Sequence, residues 1–328
     1  VIHVGPGLYK ESVTVTDKTI SIIGDSPKNT IISAEQSGRV INLTVGRSIT
    51  LKRLTLKNGN VKDFEDKDTG YGLMARGGAI LIFAENVLIE DCIFESNYSQ
   101  AGNHMMIAGE NNVVKNCLFK SLGSESLIMV DYGMQGAAFY NCLFESAGAE
   151  IFHSAGYPSF YNCTFVGFKK EAISCFGEGT SYVVNCIFKP GNDVAKAIGF
   201  SRVNEQGLPS EDAKTTYEVS YSIITSNDKD IASSDHAGTG SITYESSCVV
   251  ADPKFVDFAN GDYRLGFSSP AINTGDPASP KDPDGSRADM GALPASLFLH
   301  AAEAKLRAKP KLGWKFSQWS GGEEGSTN

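Results

Sequence analysis

The chain contains no run of eighteen consecutive apolar residues, so no transmembrane helix can be read from it. It contains no Cys-x-x-Cys pair, which removes the usual spacing of zinc and dithiol redox sites. Positive charge is in deficit: 29 Lys and Arg stand against 38 Asp and Glu, a formal net charge of −9. Nucleic acid and anionic membrane surfaces both call for a basic face, so neither is expected as a partner. No segment between its strand-like stretches is long enough for a crossover helix, which argues against an α/β sheet. A leader of the charged-then-apolar kind is also missing. The opening Val1-Ile2-His3-Val4-Gly5-Pro6-Gly7 already reads as a strand and a turn, and removal of an upstream segment is the expectation.

What the chain does have is glycine, 34 residues of it, and enough apolar material (41%) for a core. It also has a repeat. Asp91-Cys92-Ile93-Phe94, Asn116-Cys117-Leu118-Phe119, Asn141-Cys142-Leu143-Phe144, Asn162-Cys163-Thr164-Phe165 and Asn185-Cys186-Ile187-Phe188 follow one pattern, with Cys-to-Cys steps of 25, 25, 21 and 23. Arg53-Leu54-Thr55-Leu56 begins the series and Tyr221-Ser222-Ile223-Ile224 ends it. Cys and Phe two apart share one face of a strand. Short strands in a fixed order, broken by Gly, Asn and Ser, predict a solenoid. The fold class expected is therefore all-β: one right-handed parallel β-helix.

Stacking places equivalent residues one strand spacing apart, so the cysteines are expected to form a buried column of free thiols. Cys175 and Cys248 lie off that column. The Asn before each Cys is expected at a bend, its amide bonding to the next amide and to turn backbone. Two interruptions of the period, 60–77 and 192–216, are read as loops leaving the solenoid, where binding commonly resides. Residues 1–250 are assigned to the helix, 251–293 to closing coils, and 294–328 to a short helix and a flexible tail.

The opening through Ile20-Ser21-Ile22-Ile23-Gly24-Asp25 resembles the first coils of pectin methylesterases and other pectin lyase-like proteins. That resemblance implies two Asp on neighbouring coils, as nucleophile and acid/base, and an orienting Arg. Asp131 matches the first Asp and Arg202 the Arg. The second falls at Ala149, beside Glu150, which strand alternation would turn to the other face. A lyase chemistry would instead need carboxylates and a basic residue sharing one face. His153, Tyr157 and Tyr161 form the most suggestive local set for it. Asp131, Glu150, His153 and Arg202 are thus the catalytic candidates, and Tyr132, Tyr157, Tyr161 and Lys169 the substrate-binding ones. The segment from Asp252-Pro253-Lys254-Phe255 to Met290-Gly291-Ala292 resembles the closing segment of bacterial secreted and surface β-helix proteins. Its Asp282, Asp284 and Asp289 are candidate Ca²⁺ ligands.

These readings predict a secreted or cell-surface monomer that engages an acidic polysaccharide, as a lyase or an esterase. The alternative is a non-catalytic adhesin. It draws on Arg76-Gly77-Gly78-Ala79-Ile80 and Phe94-Glu95-Ser96-Asn97, which resemble repeats of bacterial surface adhesins.

Overall fold

The computed structural model describes residues 1–63, 75–121, 123, 125–131, 137–148, 150–154, 156–175, 179–200, 215–225 and 240–293. The expected short helix and tail at 294–328 lie outside them. The chain winds as a parallel β-solenoid. Sheet A has ten strands, from Ile2–Val4 to Gly240–Tyr244. Sheet B has ten, from Gly7–Lys10 to Val249–Val250, and sheet C eight, from Val13–Thr16 to Lys196–Phe200. Eight coils therefore carry all three strands among the described residues.

The repeat becomes the register. Leu56, Phe94, Phe119, Phe144, Phe165 and Phe188 are consecutive partners in sheet B. Their rings point inward, and the five phenylalanines stack at centroid separations of 4.5, 5.1, 5.0 and 4.6 Å. Just before each, Cys92, Cys117, Cys142, Cys163 and Cys186 are buried and free. Each thiol donates to the carbonyl two residues back, as Cys117 does to Lys115 at 3.1 Å. Burial pushes the Cys92, Cys117, Cys142 and Cys163 thiols well above their ordinary range, so they are poor nucleophiles. A mild disulfide reagent is accordingly expected to leave these five thiols unmodified in the native protein and to reach them only on unfolding. Rapid native labelling of several of them would contradict this packing.

The residue before each cysteine turns the chain from sheet A to sheet B with a left-handed backbone: φ is 55° at Asp91, 52° at Asn116 and Asn141, 51° at Asn162 and 56° at Asn185. Asn and Asp tolerate that region best among non-glycine residues. Asn116 donates to Asp91 and Asn141 to Asn116, both at 3.1 Å, forming an amide ladder along this ridge.

The two interruptions differ from the sequence reading in part. Residues 64–74 of the first lie outside the described residues. Its base is fixed by the buried Arg39, which donates to the carbonyls of Gly77 and Arg76, both at 2.8 Å. Burial lowers the Arg39 guanidinium to about 10. The second, read as one loop over 192–216, is narrower: Lys196–Phe200 pairs with Glu171–Cys175 as the last strand of sheet C. Ala195, Ala197 and Ile198 are all fully buried there, so this stretch continues the core rather than leaving it.

The closing segment begins with an antiparallel pair, Phe255–Asp257 with Asp262–Leu265, around a short 3₁₀ turn at Phe258–Asn260. It then runs back along the outside of the solenoid. Leu265, Ala271 and Met290 cover Ile187 and Ile223, which face outward from sheet B. Gly291 donates its N–H to Asn185 at 2.7 Å, and Ala292 donates to the Thr164 hydroxyl at 2.9 Å.

Candidate functional site

Met129, His153, Ser174 and Gly199 are consecutive partners on sheet C. The same register puts Glu150, Glu171 and Lys196 at one coil position, two residues before the buried Phe152, Ile173 and Ile198. Glu150 and Glu171 are thus neighbours at roughly the 4.8 Å strand spacing, where two carboxylates would repel. Lys170 relieves this: its Nζ lies 3.4 Å from Glu150 Oε1 and 3.2 Å from Glu171 Oε2. The second contact is an ion pair, and among the described residues Glu171 Oε2 has no hydrogen-bond partner. On its other side Glu150 Oε2 meets His153 Nδ1 at 3.1 Å.

The two glutamates differ in charge preference. Burial opposes ionisation of Glu150, but His153 and Lys170 outweigh it and hold its carboxyl below the usual range. At Glu171 burial wins over Lys170, and the carboxyl is pushed up. Burial alone would lower Lys170, yet the pair of glutamates raises it, so it acts as a fixed cation rather than a base. Since an ionised Glu150 only accepts, His153 Nδ1 carries the hydrogen and Nε2 is the basic atom of the neutral ring. Gly199 leaves room for this cluster: a Cβ there would stand 2.3 Å from Glu171 Cγ.

The structure sorts the sequence candidates. Glu150 and His153 come together; the expectation set Glu150 on the face opposite Ala149, a position outside the described residues. The strand after Glu150 starts only at Phe152. Both Ile151 and Phe152 are fully buried, so Glu150 sits in the preceding bend, where period two does not apply. Asp131 directly follows the strand Ile128–Val130, which is paired with the strand carrying His153. It stands one coil back from His153 and two residues beyond His153's partner Met129. The grouping of His153 with Tyr157 and Tyr161 is not realised. Tyr161 lies on sheet A, stacked on Tyr140 at 4.9 Å. Tyr157 lies in the turn before that strand, against Gly179. Lys169 is exposed beside Lys170, its carbonyl accepting from Asn192. Tyr132, Ala149 and Arg202 lie outside the described residues.

The three aspartates expected to hold Ca²⁺ do not form one ligand set among the described residues. Asp282 accepts from the Asp289 N–H at 3.0 Å, and Asp289 accepts from the Asn273 N–H at 2.7 Å. Asp284 is spent on its own turn, accepting from the Ser286 N–H at 2.9 Å. Among the described residues no group of three or more carboxylate, His or Cys side chains gathers as metal ligands. Burial and the neighbouring Asp289 push Asp282 up to about 6.

The adhesin-like residues have structural roles. A Cβ on Gly78 would stand 2.5 Å from the Tyr98 carbonyl. Asn97 is buried and accepts from the Gly59 N–H at 2.8 Å. Its amide meets His104 Nδ1 at 3.0 Å, and burial lowers that fully buried imidazole to about 3.

Glu171 and Lys196 are the site residues the sequence reading missed. The signal was present: both precede a buried pair, Ala172-Ile173 and Ala197-Ile198, as Glu150 precedes Ile151-Phe152.

Similar folds are known. The pectate lyase Pel9A aligns over 89% of this chain and 87% of its own, at 12% identity and a TM-score of 0.51. The pectin methylesterase of Aspergillus niger aligns over 82% and 81%, at 14% identity and 0.44. That of Yersinia enterocolitica aligns over 67% and 73%, at 13% and 0.38. Among curated proteins none matches the chain by sequence. No helix among the described residues is long and apolar enough to cross a membrane. The family described as "Right handed beta helix region" matches residues 11–252. With the winding and register above, this chain belongs to that family of right-handed β-helices.

Proposed function

We propose that the chain is a secreted or cell-surface protein that engages an acidic polysaccharide along the outer face of sheet C and cleaves it by β-elimination. The observation carrying this reading is the placement of Glu150 between His153 and Lys170, with Glu171 on the adjacent coil. Elimination beside a uronate needs three groups. A base takes the C5 proton, a cation neutralises the carboxylate, and an acid protonates the leaving oxygen.

In this reading His153 Nε2 accepts the C5 proton, with Glu150 holding the ring. Lys170, raised and permanently charged, faces the uronate carboxylate together with Lys196. As C5 loses its proton the C4–O4 bond breaks, a C4=C5 double bond forms, and O4 takes the proton of Glu171. Burial pushes the Glu171 carboxyl up, the direction that favours a proton donor.

The test is a screen against pectins, alginates and other uronate polymers, with and without Ca²⁺. It follows ultraviolet absorbance of the unsaturated product and release of methanol in parallel. Absorbance that disappears with His153→Ala is the expected result. Methanol without unsaturation would replace this reading with esterase chemistry. Silence across the panel would remove the catalytic reading.

A further inference from the structure

A second concavity lies on a different side of the solenoid, between the amide ridge and the returning closing segment. Its volume is about 780 Å³, and Tyr140, Tyr161, Leu143, Asn141, Lys281 and Pro283 line it. It begins where the closing segment stops covering sheet B. Thr164 and Ile187 lie under Ala292 and Met290, while Leu143, the next outward residue along the same row, opens into the groove.

The amide ladder breaks at this place. Asn162 turns its amide to the Asp289 carbonyl at 3.0 Å instead of to Asn141. Asn141 is exposed, and its Oδ1 receives no hydrogen bond among the described residues. Two ammonium groups flank the groove without a carboxylate partner among the described residues. Lys281 is on the wall beside Asp282, whose carboxyl accepts from the Asp289 N–H, and Lys115 sits over the outer face of the Tyr140–Tyr161 stack, 5.8 Å from the Tyr140 centroid.

We propose that this groove is an accessory binding site for an acidic oligosaccharide, separate from the centre on sheet C. The volume falls in the range of small-ligand sites, and an apolar floor with a few convergent polar groups is their usual lining. Leu143, Pro283 and the tyrosine edges offer apolar surface to the C–H faces of pyranose rings. The open Asn141 carbonyl accepts a sugar hydroxyl, and Lys115 and Lys281 meet carboxylates. The choice of an acidic saccharide rests on the function proposed for sheet C. A polymer held at both places would stay bound while its cleaved end departs.

The experiment is calorimetric titration of the full chain carrying His153→Ala with galacturonate oligomers of three to six residues. The probe is then not consumed. The expected result is saccharide binding that weakens about tenfold with Tyr161→Ala, the equivalent of about 1.4 kcal/mol, and similarly with Lys281→Glu. Lys281 is exposed, so its variant does not depend on tolerance of the Tyr161 change. Affinity unchanged within twofold in both variants overturns the inference, and so does equal affinity for an uncharged oligosaccharide of the same length. Binding that is lost with Lys170→Ala but kept with Tyr161→Ala sinks the groove and leaves sheet C standing. Tyr161-dependent binding without any elimination activity does the reverse.

Discussion

Replacing Phe144 by Ala is expected to lower the unfolding free energy by about 3–5 kcal/mol, the usual cost of emptying a large buried aromatic site. Phe144 is fully buried in the middle of the inward column. It stacks on Phe119 at 5.1 Å and Phe165 at 5.0 Å, and meets Phe139 and Phe152 edge-on at 5.9 and 5.0 Å. Four rings therefore lose a partner at once. The void cannot readily collapse, because each strand is pinned to its neighbours on both sides by the parallel ladder. Phe144→Leu should recover most of the loss, since it refills the volume without restoring the stack.

The measurement is denaturant unfolding of the variants against the parent, read as the midpoint shift as well as a fitted free energy. Solenoids can unfold in segments, and a midpoint does not require a single transition. Phe188→Ala offers an internal comparison. Among the described residues Phe188 has one ring neighbour, Phe165 at 4.6 Å. A smaller loss is expected there. Equal losses at both sites, or a loss at Phe144 below about 1 kcal/mol, would show that the aromatic column is not the main source of cohesion between coils.

The same column explains why the fold was legible in the amino-acid order. An inward residue must recur at each coil, so Cys-x-Phe marks the register directly. Even the long step from Leu54 to Cys92 is reproduced by the pairing of Leu56 with Phe94. Outward residues carry no such constraint. Glu150, Glu171 and Lys196 recur at steps of 21 and 25, because coil length varies in the bends. They align only when counted back from the buried pairs that follow them. Alternation does not relate Glu150 to His153 for the same reason: it describes strands, and Glu150 precedes one. The groove at Tyr161 was illegible for another cause. It is built by contacts such as Thr164 with Ala292, 128 residues apart, and nothing local in either segment announces the other.

His153→Ala is expected to reduce turnover by about 10²–10⁴-fold, the range for loss of a positioned general base. The melting temperature should barely move, because His153 faces outward from sheet C and is only partly buried. Four variants separate base, orienting group, acid and cation. Glu150→Gln keeps the shape but lets the side chain donate as well as accept, so the His153 tautomer is no longer fixed. Its loss should be smaller than that of His153→Ala and should fall on kcat. Glu171→Gln removes the transferable proton and should also act on kcat, most severely for poor leaving groups. Lys170→Ala should raise KM, since in the proposed elimination it is the cation that faces the substrate carboxylate, and should also disturb the two glutamates that it bridges. Added imidazole should partly restore His153→Ala, as the side chain leaves a ring-sized gap beside Glu150. A His153→Ala protein that melts far below the parent, or that imidazole cannot rescue while Glu171→Gln remains fully active, would move His153 from chemistry to structure. In either case the elimination mechanism would lose its base in this cluster.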